Sequence, residues 1–350
     1  MLHRPTQPRP RPLAISRWLL VVAALVFATI VVGGITRLTE SGLSIVRWEP
    51  VTGIAPPLGE EAWRAEFEAY RDSPQYEQVN RGMTLSQFKS IYFWEYVHRL
   101  LGRLIGLVFA LPLLWFWWRR AIPARQGWKL GGLLALGAAQ GAIGWWMVAS
   151  GLVERPEVSH IRLAIHLVTA LAIFGSLIWV AVDLRALARN AGVSPIRSPL
   201  LAVWALSVLF LQFLFGAYVA GLEAGYAFNS WPRMGEEWFP SDTPLLVPFV
   251  ANFVDNPVMV QFVHRWLAFV AAALALALSV RAWVSGAPWT AVMLAAAVIA
   301  QVLLGILTIL SGVEIHLGVA HQAMAALLLA AMVVAAHRIG ERRQALGAEQ

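Results

Sequence analysis

Residues 91–117 read IYFWEYVHRLLGRLIGLVFALPLLWFW, an apolar run with Glu95, His98, Arg99 and Arg103 gathered near its start. Residues 258–281 read VMVQFVHRWLAFVAAALALALSVR, with the same His-Arg pair at the same depth. Each run is long enough to cross a hydrocarbon core of ~30 Å as a helix. Their similarity decides the fold: a polytopic, all-α membrane protein built from a repeated unit. Working outward, further apolar runs lie at 16–36, 128–150, 160–182, 199–222, 289–311 and 316–337. Eight transmembrane helices are therefore predicted, as two tandem four-helix bundles.

Composition agrees. Of 350 residues, 59% are hydrophobic and 13% charged, so the chain has too little polar surface for a soluble domain. A net charge of +7 would suggest a nucleic-acid partner in a soluble protein. Here the basic residues fall in short segments on one side. These are Arg4, Arg9, Arg11 and Arg17; Arg119, Arg120, Arg125 and Lys129; Arg185, Arg189 and Arg197; and Arg338, Arg342 and Arg343. That is the positive-inside pattern, which predicts a lipid bilayer as partner, no nucleic acid, and both termini in the cytoplasm or matrix. The Pro/Arg-rich start lacks a small-residue cleavage site, so the first span is expected to be retained. A bacterial inner membrane is favoured over a mitochondrial one by the short segment before the first span, and the oligomeric state is left open.

The expected organisation is a tail at 1–15, an N-terminal repeat at 16–184 with an outer loop at 37–90, and a linker at 185–198. A C-terminal repeat follows at 199–338 with an outer loop at 223–257, then a tail at 339–350. Ala139-Gln140, Gly144 and Ser150-Gly151 match Ala300-Gln301, Gly305 and Ser311-Gly312 at one constant offset. Gly33 to Gly42 likewise resembles Gly216 to Gly225. Both units thus enter the membrane in the same orientation, a parallel repeat. In the outer loop, Trp63 to Tyr70 is predicted to be helical, and loops this long commonly cover a site. Gly102, Gly106, Gly137 and Gly141 are expected to let helices approach closely.

An ionisable residue inside a span is costly and signals function. His98, His166, His264 and His321 occupy matched depths in four spans, near the outer side. With no cysteine in the chain, a metal could be held only by His, carboxylate or Met. Two facing imidazoles in a four-helix bundle are a recurring way to hold a haem iron. The expected pairs are His98 with His166 and His264 with His321. His3 and His337 are expected in basic cytoplasmic segments, and His160 and His316 at hydrated span mouths. Arg99, Arg103 and Arg265, and more weakly Arg37 and Arg47, either take haem propionates through a bidentate fork or snorkel to headgroups.

The two units differ at one telling place. Glu95 lies one helical turn before His98, whereas its counterpart before His264 is Gln261, the same shape without a charge. A carboxylate beside an apolar pocket is costly to desolvate and is a usable proton acceptor or donor. The first unit is therefore expected to be the reacting site, the alternative being a plain ion pair of Glu95 with Arg99 or Arg103.

Taken together, the stretches Gly33-Gly34-Ile35-Thr36-Arg37-Leu38-Thr39-Glu40-Ser41-Gly42-Leu43-Ser44, Glu95-Tyr96-Val97-His98-Arg99, Ala164-Ile165-His166, Phe228-Asn229-Ser230-Trp231-Pro232-Arg233-Met234, Gln261-Phe262-Val263-His264-Arg265 and Ala320-His321-Gln322 resemble the haem A synthases. The resemblance runs from the first span to the eighth. It implies a membrane enzyme that oxidises a ring methyl of haem O to a formyl group, giving haem A for a terminal cytochrome oxidase. It also implies that His264 and His321 ligate a resident haem b, that His98 and His166 flank the substrate haem, and that Glu95 is the catalytic carboxylate. Partners expected on this basis are haem O, a haem O synthase and an electron acceptor of unknown identity. Some family members carry a cysteine pair in an outer loop; this chain does not. The runner-up is a di-haem cytochrome b electron-transfer subunit that modifies neither haem. A duplicated transporter is disfavoured because the polar residues lie near the rim rather than at mid-membrane.

Overall fold

The computed structural model describes residues 10–47, 52–152, 156–189 and 199–348. His3, Arg4, Arg9, Arg197 and most of the linker expected at 185–198 lie outside that set. The helices are α1 (Pro12–Leu38), α2 (Glu60–Arg71), α3 (Pro74–Gln78), α4 (Leu85–Trp118), α5 (Gly127–Val148) and α6 (His160–Arg189). They continue with α7 (Leu200–Gly221), α8 (Asn252–Asp255), α9 (Pro257–Val284), α10 (Pro288–Leu310) and α11 (Ile315–Ala348). All but α2, α3 and α8 are long and apolar enough to cross a membrane, eight among the described residues. The chain is an integral membrane protein.

Several helix ends extend past the hydrophobic runs because a cap sets them, not the hydropathy. α4 begins well before residue 91, where the Thr84 hydroxyl accepts from the Gln87 amide at 3.3 Å and the Gln87 side chain accepts from the Thr84 amide at 2.9 Å. This reciprocal arrangement satisfies donors that the first helical turn leaves unpaired. At α9 the Asn256 side chain accepts from the amides of Val258 and Met259. α11 continues to Ala348, so most of the segment expected to be a tail at 339–350 is helical.

α1, α6, α7 and α11 form the centre, and α4, α5, α9 and α10 flank it. The apolar core runs through this centre, with Leu19, Leu177, Leu184, Leu278, Leu329 and Met332 essentially inaccessible. The α2 helix covers the expected stretch from Trp63 to Tyr70. It packs Tyr70 onto Phe88 and Tyr92 of α4, with Trp63 and Phe67 alongside. Burial pushes the Tyr70 hydroxyl up to about 12. It stays protonated, donates to Gln75 Oε1 at 3.1 Å and accepts from Asn80 Nδ2 at 2.7 Å. Gln75 in turn donates to the Glu40 carbonyl, which ties α3 to the end of α1. A capped, hydrogen-bonded lid therefore lies over one end of the first bundle.

Candidate functional site

Each of the four histidines stands against a glycine of the neighbouring helix. His98 on α4 meets Gly33 of α1, and His166 on α6 meets Gly144 of α5. In the second unit His264 on α9 meets Gly216 of α7, and His321 on α11 meets Gly305 of α10. A Cβ added at these glycines would lie 3.1, 2.9, 2.9 and 2.8 Å from the imidazole Cε1 atoms, in that order. Four notches of one shape, each filled by an imidazole, repeat the same design in both bundles.

One turn before three of those glycines stands a glutamine. Gln140 Nε2 lies 3.1 Å from His166 Nδ1 and donates to the His166 carbonyl at 2.9 Å. Gln212 treats His264 the same way, at 3.0 Å for both contacts. Gln301 Nε2 lies 3.3 Å from His321 Nδ1. The Oε1 atom of each glutamine is buried without a hydrogen bond. The fourth position holds Thr29, whose hydroxyl is turned back onto the Leu25 carbonyl at 2.9 Å. His98 Nδ1 is buried and makes no hydrogen bond of normal geometry. This Gln-x-x-x-Gly support was readable in the sequence as a motif repeated at 140–144, 212–216 and 301–305, but there it signals only duplication.

His98 and His166 line one cavity of about 840 Å³, together with Glu95, Arg99, Arg103 and Arg37. That volume is in the range of sites for a large organic ligand. Among the described residues no group of three or more His, Cys, Asp or Glu is gathered to hold a bare metal ion. The paired seats suit a planar iron macrocycle held between two rings. A glutamine amide beside three of the four ring Nδ1 atoms fits the same group, because such a neighbour fixes the orientation of a ligating imidazole.

Glu95 is 3% exposed and fully engaged. Its Oε2 accepts from Ser44 Oγ at 2.7 Å and from the Ile45 amide at 2.8 Å. Its Oε1 accepts from Arg99 Nε at 3.0 Å and Nη2 at 2.5 Å, and Arg99 Nη2 also reaches the Ile45 carbonyl at 3.0 Å. The ion pair weighed in the sequence is present, and it pins the loop after α1. Gln261 and Arg265 act alike in the second unit. Gln261 Nε2 donates to the Phe228 carbonyl at 2.9 Å. Arg265 donates to the carbonyls of Phe228, Ser230 and Arg233 at 2.8, 2.8 and 3.2 Å. Neither Arg99 nor Arg265 snorkels outward; both forks turn inward to loop carbonyls.

At the cavity mouth Arg37 Nη2 donates to Glu223 Oε1 at 3.1 Å, joining the end of α1 to the turn after α7. Glu157 lies there too, and burial followed by repulsion from Glu223 holds its carboxyl above the usual range. Arg103 lines the cavity wall. Gln322, next to His321, donates to the Ile30 carbonyl of α1 at 2.6 Å and also lines the first cavity.

Three other expectations resolve. His316 is solvent-facing and bonds Glu314 at 2.6 Å. His160, expected to be hydrated, is largely covered, 3.2 Å from Asp255 and edge-on to Tyr218. His337, expected in a solvated basic segment, is 2% exposed. It packs edge-on against Trp179 and lies 3.7 Å from Asp183, which also accepts from Lys129 at 2.6 Å. The helical continuation of α11 carries it back into the core.

The sequence from residue 16 to 333 matches the COX15-CtaA family model, described as cytochrome oxidase assembly protein. The chain is 56% identical over 337 residues to a protein of Rhizorhabdus wittichii named Heme A synthase, covering 96% of this chain and 97% of that one. It is 49% identical over 333 residues to the Heme A synthase of Sphingopyxis alaskensis, covering 95% and 94%. A third relative of that name, from Novosphingobium aromaticivorans, is 46% identical over 344 residues, covering 96% and 97%. On matched length, shared identity and the repeated histidine seats, the chain belongs to the COX15-CtaA family of cytochrome oxidase assembly proteins.

Proposed function

We propose that this protein is a haem A synthase, which oxidises a ring methyl of haem O in two successive hydroxylations to a hydrated aldehyde that loses water to leave the formyl group. The observation that carries this reading is the inequality of two otherwise equal histidine pairs. The first pair shares its cavity with a buried carboxylate, Glu95, while the second has Gln261 at the matching position. Holding a loop alone does not call for the charge, since Gln261 and Arg265 hold theirs without a carboxylate.

In this reading His98 and His166 flank the substrate haem, and His264 and His321 hold a resident haem b. When bound, that haem supplies an electron outlet for the oxidation, and a membrane acceptor drains it. Gln140, Gln212 and Gln301 orient their imidazoles. Each amide lies against the Nδ1 side of its ring, so the imidazole Nε2 would be the nitrogen that ligates. Arg37 and Arg103, both on the cavity wall, are better placed for propionates than Arg99 and Arg265, whose forks serve the loops.

Glu95 acts on protons. Ser44, Ile45 and Arg99 hold its carboxylate in one orientation on the cavity wall. From there it takes one of the two protons released each time water adds its oxygen to the methyl carbon, while the two electrons pass to the membrane acceptor. General-base catalysis of this kind contributes typically ~10²–10⁴-fold. The positive-inside bias of the basic segments supports a lid side that faces away from the cytoplasm of a bacterial cell. Haem O reaches the protein from a haem O synthase.

The test is Glu95→Gln, which copies the second unit, in cells co-expressing a haem O source. The variant is expected to keep its resident haem spectrum while haem A yield falls by about two orders of magnitude or more. A full yield of haem A, separated chromatographically from extracted pigment, overturns the role of Glu95. Wild-type protein that leaves haem O unchanged overturns the function.

A further inference from the structure

The first bundle has a gap that the second lacks. α4 and α5 touch only sparsely, whereas their counterparts α9 and α10 pack along much of their length. Gly102 and Gly106 of α4 and Gly137 and Gly141 of α5 were expected to bring helices together. They do not: a Cβ placed at any of the four would meet nothing within 4 Å. Close backbone approach is the ordinary reason for such glycines in membrane helices. Without that return, each costs about 1 kcal/mol of helix stability relative to alanine.

The spacing shows what the gap adjoins. Gly102 and Gly106 follow His98 at successive four-residue steps, so they share its face of α4. Gly137 and Gly141 precede Gly144, the seat of His166, at similar steps on α5. Gly102, Gly137 and Gly141 line the same cavity as the two histidines and Glu95. The gap is therefore the apolar continuation of the cavity, running from the histidine pair toward mid-membrane and the exposed flanks of α4 and α5. Aligning His98 with His264 and Gln140 with Gln301 places Ala268, Ala272, Val298 and Val302 at the four glycine positions. Val298 is 3% exposed, packed where its glycine counterpart faces open space.

We infer that this glycine-walled slot between α4 and α5 binds the long hydrocarbon tail of the substrate haem and is open to the bilayer at its flank. The inference rests on the function proposed above and adds a determinant of substrate choice. Haem O and haem b share the macrocycle and propionates and differ chiefly in that tail. A bundle with an open slot suits the tailed molecule; one whose slot is filled by Val298, Val302, Ala268 and Ala272 suits the tailless one. The slot thus sorts two haems between two sites with matching ligands.

The test uses full-length protein in detergent with its resident haem retained, titrated with haem O and separately with haem b. Gly137→Val combined with Gly141→Val copies the second unit. The double variant is expected to lose about ten-fold or more in affinity for haem O, since single methylenes already shift apolar recognition by such factors. Its affinity for haem b and its resident haem spectrum are expected to be unchanged. Equal weakening for both haems, or for neither, overturns the slot. Gly102→Ala with Gly106→Ala, a milder filling, is expected to shift the haem O preference in the same direction and provides the readout if the valine variant does not fold. Haem O displaced no more readily from the variant by a competing phospholipid than from wild type also counts against it. If wild type converts haem O while the valine variant binds it normally, the slot fails and the enzyme reading stands.

Discussion

The imidazole of His321 sits where a methyl group on Gly305 would be, 2.8 Å from its Cε1. Replacing this glycine by alanine must move either the ring or the α10 backbone. Overpacking of this kind typically costs ~1–3 kcal/mol. Gly305→Ala is therefore expected to release the resident haem during purification, read as a fall in Soret absorbance per protein. Gly33→Ala, with 3.1 Å at His98, is expected to be the mildest of the four. Unaltered haem retention in Gly305→Ala would mean that the seat does not hold the ring. The histidines themselves were legible in the sequence because an ionisable residue in an apolar run stands out. Their glycine and glutamine supports were not, since apolar helices tolerate both and no pattern in one chain says which helix faces which. Thr29 hides the motif further, because it stands where the other three seats have a glutamine. The engagement of Glu95 with Ser44 and Ile45 was equally hidden, because it depends on how a loop fifty residues away folds back.

Helices were the most readable level, and their ends the least. Hydropathy located eight spans, but the starts of α4 and α9 follow from Thr84 and Asn256, whose caps lie outside the apolar runs. The outcome for His337 shows the cost of reading ends from charge alone. Basic neighbours suggested solvent, yet α11 carries this ring beneath Trp179 and against Asp183 of α6. Lys129 of α5 completes the cluster, which therefore links three helices from both units. Removing one member of a buried charged group leaves the others unmatched, a loss of typically ~3–5 kcal/mol. Asp183→Leu is expected to lower the thermal midpoint in detergent markedly, and Asp183→Leu with Lys129→Leu to recover most of the loss. If the double variant were no better than the single, the cluster would be more than an ion pair.

At the scale of the whole molecule, duplication was visible from matched motifs, and the central packing of α1, α6, α7 and α11 shows how two units become one body. Polar contacts cross between the units at the Asp183–His337 cluster, at Gln322 with Ile30, at His160 with Asp255 and at the Arg37–Glu223 pair, the last partly exposed and so contributing ~0–1 kcal/mol. Apolar burial in the centre adds to them in holding the halves together. The functional difference proposed between them could be read only in part. Glu95 against Gln261 is a change of one residue type and shows at once. The slot is a property of four empty positions on two helices, and empty space leaves no letter in a sequence.

Gln322 adds a consequence of its own. It follows His321 in the chain, yet its side chain reaches Ile30 and forms part of the wall around His98 and His166. One side chain thus stands in the wall of the first cavity while its backbone adjoins the ring that closes the second seat, so a disturbance at either place is felt at the other. Gln322→Leu should disturb the optical spectra of haem bound at both seats, whereas a change confined to one would show that Gln322 does not couple them.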